Sequence, residues 1–237
     1  MRLFYDPDIS GDFHVLKQEE SHHCTKVLRL TQGNEVYLTD GKGKLYKCEI
    51  LEIHQKKTLV KILEVNDGTD KRDYRLHIAI APTKSNDRTE WFVEKATEIG
   101  IDEITPIICK NSERKVIKAE RLNKVTESAM KQSYKTYHPI VNEQISFGNF
   151  MKQDFGNIQK FIAHCEDIDD KEYLGNVVKK SGSVLIVIGP EGDFNFDEIK
   201  IAKDAGFIPI SLGKSRLRTE TAALVACDIL SVVNEID

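Results

Sequence analysis

"VLIVIGPEGDFNFDEIKIAKDAGFIPISLGKSRLRTETAALVACDIL", residues 184–230, repeats one rhythm twice: a short apolar run, a polar loop, then a segment of helix length. "VLIVI" (184–188) has strand length. The segment after its loop opens with Asn195, carries Glu198 three residues on and closes at Gly206, the marks of a capping box and a glycine stop. "FIPISL" (207–212) is a further strand, and an apolar helix follows the basic turn after it. Strands alternating with helices predict a mostly parallel sheet with helices on both faces. Ligands of such sheets bind beyond the carboxyl ends of the strands.

Working outward, the same rhythm extends back to "RLHIAIA" (75–81). A helix is predicted over 87–99, with Phe92, Val93, Ala96 and Ile99 as its apolar stripe and Gly100 at its stop. "EITPIIC" (103–109) and "KFIAHC" (160–165) read as strands, and a long basic helix is expected from about 118 to 134. The first seventy residues differ. "RLFY", "GDFHVL", "NEVYLTD", "KLYKCEILEI" and "TLVKILEV" are brief, β-branched or aromatic, and separated by turn residues, which predicts a small β-barrel. One helix interrupts them, "EESHHCTKVLRL" (19–30), with His23, Val27 and Leu30 on one side. The polar stretch "VNDGTDKRD" (65–73) is the linker candidate. Two domains are therefore expected, 1–70 and 74–237.

Composition is that of an ordinary globular chain: 237 residues, 40% apolar, 30% charged, net charge −4. No apolar run reaches membrane-spanning length and the start lacks a signal-peptide core, so no membrane association and a cytoplasmic home are expected. Five scattered cysteines without a CxxC pair argue against disulfides and structural zinc. His22, His23 and Cys24 point apart on a helix, so no metal is expected. Residues 110–135 gather eight lysines and arginines against three glutamates, Arg114 and Lys118 among them. That patch is either a solvated helix face or a track for phosphates.

Three loops leave strand ends and should share one rim: "AHCEDI" after the strand at 160–165, "GPEGDFNF" after 184–188, and "GKSRLRTET" after 207–212. Neither GxGxxG nor GxxxxGK[ST] is present, which excludes the usual dinucleotide and triphosphate cradles. "GPEG" is either a tight β–α turn or a loop that offers backbone groups to a flat, uncharged ring such as a nucleoside. In the third loop Thr219 or Thr221 can cap the following helix. Arg216 and Arg218 beside a positive helix end require a compensating anion; Glu220 supplies part, and a bound phosphate or anionic base can supply the rest.

"IGPEGDF" (188–194) with "LGKSRLRTETA" (212–222) resembles the paired signature of the RsmE-type 16S ribosomal RNA uracil-N3 methyltransferases, within the SPOUT superfamily. "HHCTKVLRL" (22–30), "DGKG" (40–43) and "KSNDRTEWFVEKATEIGIDEITPIICKNSERK" (84–115) resemble further elements of that family, so the likeness covers nearly the whole chain. The resemblance implies a PUA-like amino-terminal barrel that binds RNA and a SPOUT sheet threaded as a trefoil knot. It also implies a homodimer that binds S-adenosylmethionine and acts on 16S rRNA in the small ribosomal subunit. The cofactor positions it carries over are His164, Ile188, Gly189, Gly192, Leu212, Gly213, Leu217, Thr219 and Thr221, with Arg218 and Glu220 beside them. The chain departs from the family pattern twice. Asp193 stands where a second glycine is usual, and Ser215-Arg216 stands where an arginine and an aliphatic residue are usual.

Methylating uracil N3 requires a group that takes its proton and a group that steadies the anion. Arg218 is assigned to the anion, and Glu220 either orients Arg218 or relays the proton; helix-end electrostatics is the plain alternative for Glu220. Arg2, His23, Arg29, Arg114 and Lys118 are RNA-binding candidates. The rival readings are a SPOUT methyltransferase for another RNA position or a ribose 2′-hydroxyl, and a non-catalytic RNA-binding module.

Overall fold

The computed structural model describes residues 2–166 and 171–235. The chain divides into two compact units: residues up to Lys71 with Met130–His138, and Arg72–Ala129 with the chain from Pro139 onward. No helix of the described residues is long and apolar enough to cross a membrane.

The first unit opens with β1 (Leu3–Tyr5), β2 (Phe13–Val15) and α1 (Gln18–His22), which continues as a π-helical turn over His23–Val27. Then come β3 (Glu35–Thr39), β4 (Lys44–Glu52) and β5 (Leu59–Asp67). The sheet order is β1-β3-β4-β5-β2, an open path in which β1 and β3 are parallel and the other neighbours antiparallel. Inward residues Phe4, Leu16, Val36, Leu38, Cys48, Ile50 and Val60 form one core. The π-turn corrects the helical face expected for 19–30. The wider turn rotates the stripe, so Cys24 and Leu30 are buried while Val27 is 64% exposed.

Met130–His138 closes this unit. The Thr136 amide donates to Asp70 Oδ2 (2.8 Å), its hydroxyl donates to Asp70 Oδ1, and its carbonyl accepts from the Gly43 amide (3.0 Å). Lys131 Nζ lies 2.6 Å from Glu20 Oε1. A β-carbon on Gly43 or Gly68 would collide with Tyr137 or Thr136, which is why the "DGKG" turn needs its second glycine.

The second unit begins with β6 (Tyr74–Ile80), α2 (Asn86–Ile99), β7 (Glu103–Ile108) and α3 (Ala119–Gln132), whose last three residues belong to the first unit. Short pieces follow: β8 (Ile140–Val141), β9 (Ile145–Ser146), α4 (Phe147–Phe150), β10 (Gln159–Ala163), β11 (Glu172–Tyr173) and α5 (Leu174–Val177). The chain ends with β12 (Gly182–Ile188), α6 (Phe196–Asp204), β13 (Ile208–Ser211) and α7 (Thr219–Glu235). The sheet runs β11-β13-β10-β12-β6-β7-β8, with β9 also on β7, and every pairing is parallel.

Strand periodicity explains the two cores. Along β12, Val184, Ile186 and Ile188 join Leu76, Ile78, Ile80, Phe92 and Ala226 beneath α2 and α7. Leu185 and Val187 face the other way, onto Phe147, Phe150, Ile199 and Ala202 of α4 and α6. Both faces are thus covered, so the strand reads as an unbroken apolar run. The capping box forms as expected: Asn195 Oδ1 accepts from the Glu198 amide (2.8 Å) and Glu198 Oε2 from the Asn195 amide (3.1 Å).

At the amino end of the sheet, His77 is buried with its Nε2 2.7 Å from Thr105 Oγ1. Burial lowers its pKa from 6.5 to about 4. The unfolded chain therefore binds a proton there that the folded chain refuses, so stability falls as pH drops from about 6.5 towards about 4. Denaturation followed across that window should show His77→Gln with a shallower pH slope than wild type.

Candidate active site

Register decides where the loops meet. Ala163 of β10 pairs with Ile188 of β12 and with Ile210 of β13, and Ile188 pairs with Ile80 of β6. All four strands end level, and the loops that leave them emerge along one rim.

The loop Gly189–Asp193 is bonded to each of its neighbours. The Thr219 hydroxyl, buried at the start of α7, donates to the Gly189 carbonyl (3.0 Å). The Cys165 amide donates to Asp193 Oδ2 (2.6 Å), which joins the loop after β10. The Lys84 amide donates to Glu191 Oε1 (2.8 Å), which joins the loop after β6. Asn111 Nδ2, after β7, donates to the Gly192 and Asp193 carbonyls at 3.0 and 3.1 Å. Gly192 sits so close that a β-carbon would lie 3.1 Å from that of Asn111.

Between these loops lies a cavity of 940 Å³. Its wall takes His164 from the first loop, Ile188, Gly189 and Gly192 from the second, and Leu212, Gly213, Leu217, Arg218 and Thr219 from the third. Backbone edges alternate there with aliphatic side chains, and Gly213 holds φ +123°, which a side chain would strain. Burial, and then the nearby Asp193 carboxylate, raise the Cys165 thiol above its ordinary value, so that side chain is uncharged, while Lys171, Lys214 and Arg216 bring positive charge to the same wall. Asp167 and Ile168, which end the "AHCEDI" stretch, lie outside the described residues.

A wall of backbone groups without a phosphate cradle suits a nucleoside-like ligand, and comparison with known proteins agrees. A family model described as "RNA methyltransferase domain" matches residues 70–231, and one described as "RNA methyltransferase PUA domain" matches 16–64. The chain belongs to this RNA methyltransferase family. A solved probable rRNA-methyltransferase from Porphyromonas gingivalis is 39% identical with a TM-score of 0.91, covering 99% of this chain and 98% of that one. Ribosomal RNA small subunit methyltransferase E from Neisseria gonorrhoeae, solved bound to S-adenosyl methionine, is 28% identical with a TM-score of 0.88, covering 99% and 98%. The enzyme of the same name from Bacillus subtilis is 29% identical over 92% of this chain and 89% of its own length. The family resemblance carried by the paired signature is thus matched along both units.

At this candidate site the structure alters three sequence readings. Thr219 does not cap α7 with its side chain; its hydroxyl is spent on Gly189, and the Arg218 carbonyl takes the first helical hydrogen bond, from Ala222 (2.7 Å). Glu220 does not pair with Arg218. It is buried, and the cation beside it is Arg88 of α2, whose Nε lies 3.8 Å from Glu220 Oε1. Glu220 and Thr221 line a neighbouring cavity instead, of which Arg218 forms part of the shared wall. Arg218 is exposed, and its guanidinium has no partner among the described residues.

The remaining candidates are spread out. Arg114 is engaged: its guanidinium donates to the Thr83 carbonyl (3.1 Å) and the Lys84 carbonyl (2.6 Å), and so holds the loop after β6. Lys118 is exposed just before α3. Arg2, His23 and Arg29 are exposed in the first unit, and Arg29 has φ +51°. No group of metal-ligating side chains exists among the described residues. Sequence reading missed the loop after β6 and the role of Arg88, because Arg88 and Glu220 come together only through the packing of α2 on α7.

Asp193 holds φ +57°, the left-handed conformation that the family's usual glycine would adopt freely. Its carboxylate compensates by accepting from Cys165 and from the Phe194 amide (2.8 Å). Asp193→Gly should lose about 1–3 kcal/mol of stability with these bonds. Asp193→Ala should lose about 1–2 kcal/mol more through backbone strain. Chemical denaturation of the two variants checks the order.

Proposed function

We propose that this chain methylates uracil N3 of a uridine in 16S rRNA, within the small ribosomal subunit, using S-adenosylmethionine and acting as a homodimer. The observation that carries the proposal is the shared wall. Arg218, a cation without a partner among the described residues, stands between a cavity suited to an adenosyl group and a second cavity that holds a buried carboxylate. The family resemblance, the solved S-adenosyl methionine complex of a relative and the PUA-domain match support the same reading.

The residues present fit the methyl donor. Gly189, Leu212 and Gly213 offer backbone groups, Ile188 and Leu217 offer apolar flanks for a ring, His164 and Gly192 complete the lining, Thr219 holds the Gly189 loop, and Thr221 stands at the adjoining cavity. When bound, S-adenosylmethionine supplies a methyl group carried on a positively charged sulfur.

The chain must then hold the base and manage one proton. A uracil N3–H has to lose its proton before nitrogen can act as a nucleophile. Glu220 is the acceptor: its Oε2 is buried without a hydrogen-bond partner among the described residues, so it is available to take that hydrogen. Arg218 faces the same space and stabilises the negative charge that spreads over the ring oxygens. Arg2, His23 and Arg29 of the first unit, with Lys118, hold RNA phosphates, and the exposure of each leaves it free for that work. Arg114 serves by fixing the loop after β6.

Labelled methyl transfer onto small subunits from a strain lacking this gene, followed by nucleoside analysis, should place the label on uracil N3. Label on a ribose hydroxyl, or no transfer, overturns the reading. Arg218→Ala should lower turnover by about 10²-fold or more while calorimetry shows S-adenosylmethionine affinity within about threefold of wild type.

A further inference from the structure

The cavity next to the donor cavity measures 620 Å³ and shares Arg216, Leu217 and Arg218 with it. Its chemistry is unusual for a surface depression. Glu220 is only 6% exposed, yet its Oε2 has no hydrogen-bond partner among the described residues. The cation at its other oxygen, Arg88 Nε at 3.8 Å, stands beyond hydrogen-bond reach. A carboxylate oxygen withheld from water without a donor is costly, and a ligand that brings the donor relieves that cost.

One helical turn beyond Arg88 on α2 stands Trp91, which also lines this cavity and is 43% exposed. It is the single tryptophan of the chain. An exposed indole next to two arginines without partners among the described residues is a platform for a flat, electron-rich ring, because every base has a face that stacks on an aromatic side chain. The edge of the ring then matters. Uracil presents one N–H donor between two carbonyl acceptors; the cavity presents one buried carboxylate, Glu220, and the solvent-exposed Asp87, among cationic donors, Arg88, Arg216 and Arg218. Cytosine has an acceptor at N3 and would set a lone pair against the carboxylate.

We propose that this cavity seats the methyl-accepting base. Trp91 is the platform on which the flipped-out pyrimidine stacks, and Arg88 is a positioning residue that aims Glu220 at the ring N–H and so selects uracil over cytosine. The inference rests on the function proposed above and adds the seat of the acceptor, two residues and a basis for choosing the base. A base drawn out of its stack must find such a face to rest on.

The test measures methyl transfer as a function of small-subunit concentration, with donor affinity by calorimetry and oligomeric state by sedimentation. Trp91→Ala should lower kcat/KM for the RNA about tenfold or more, Trp91→Phe should keep most of it, and donor affinity and sedimentation should match wild type. Arg88→Ala should lower kcat with little change in KM, and Arg88→Lys should recover part of it. The lone indole also reports directly: uridine 5′-monophosphate should quench its fluorescence several-fold more strongly than cytidine 5′-monophosphate at equal concentration. Full transfer by Trp91→Ala, or quenching that does not distinguish the two nucleotides, overturns this inference and leaves the proposed function standing. A Trp91→Ala protein that sediments as a smaller species overturns it in favour of a second copy of the chain as the occupant. Absence of transfer by the wild-type chain overturns both.

Discussion

Hydrogen bonds to the five residues from Gly189 to Asp193 organise the site. Four neighbouring loops reach this one, and each does so with a different partner: a hydroxyl from Thr219, an amide from Cys165, an amide from Lys84 and a carboxamide from Asn111. The arrangement is possible only because β6, β10, β12 and β13 are parallel and end level. Antiparallel neighbours would send alternate loops to opposite edges of the sheet. With the central loop held from several sides, its backbone groups point where the packing dictates, and the cavity wall is shaped before any ligand arrives. Preorganisation of this kind lets a site recognise a neutral ring without strong charges.

The two cavities share a wall but differ in character. The larger one, proposed for the donor, is lined by loop backbone and aliphatic side chains with charged residues among them; the smaller has an indole, arginines, the exposed Asp87 and one sequestered carboxylate. A methyl group passing between two ligands needs them close and aligned, and a thin partition of three side chains supplies closeness. Arg218 borders both spaces, which explains why two arginines stand in the turn ahead of α7. In the proposed reading their charge meets an anionic base and an RNA backbone, while Glu220 has Arg88 of α2 as its nearest cation.

Much of this was legible in the residues. The alternation from 184 to 230 declared a parallel sheet, and Asn195, Glu198 and Gly206 marked the ends of α6 within a residue or two, because capping is local chemistry. The three loops were legible for the same reason: strand direction fixes which end a loop leaves. Contacts between distant positions were not. The Arg88–Glu220 pairing joins residues 132 positions apart, and no short pattern encodes it. Thr219 looked like a cap because threonine often is one; the carbonyl of Gly189, held nearby by tertiary packing, took its hydroxyl instead. The face of the amino-terminal helix was misread because a single π-turn breaks the 3.6-residue period that such readings assume.

The first unit does not consist of contiguous chain. Met130–His138 supplies the partners of Asp70 and Glu20 and fills the spaces that Gly43 and Gly68 leave open. During synthesis the amino-terminal strands emerge long before that segment does. They must wait, incompletely closed, while more than a third of the other unit is translated. Neither unit can therefore mature in strict order along the chain, and a gene fragment cut at the linker would encode a β-sheet deprived of its final clasp.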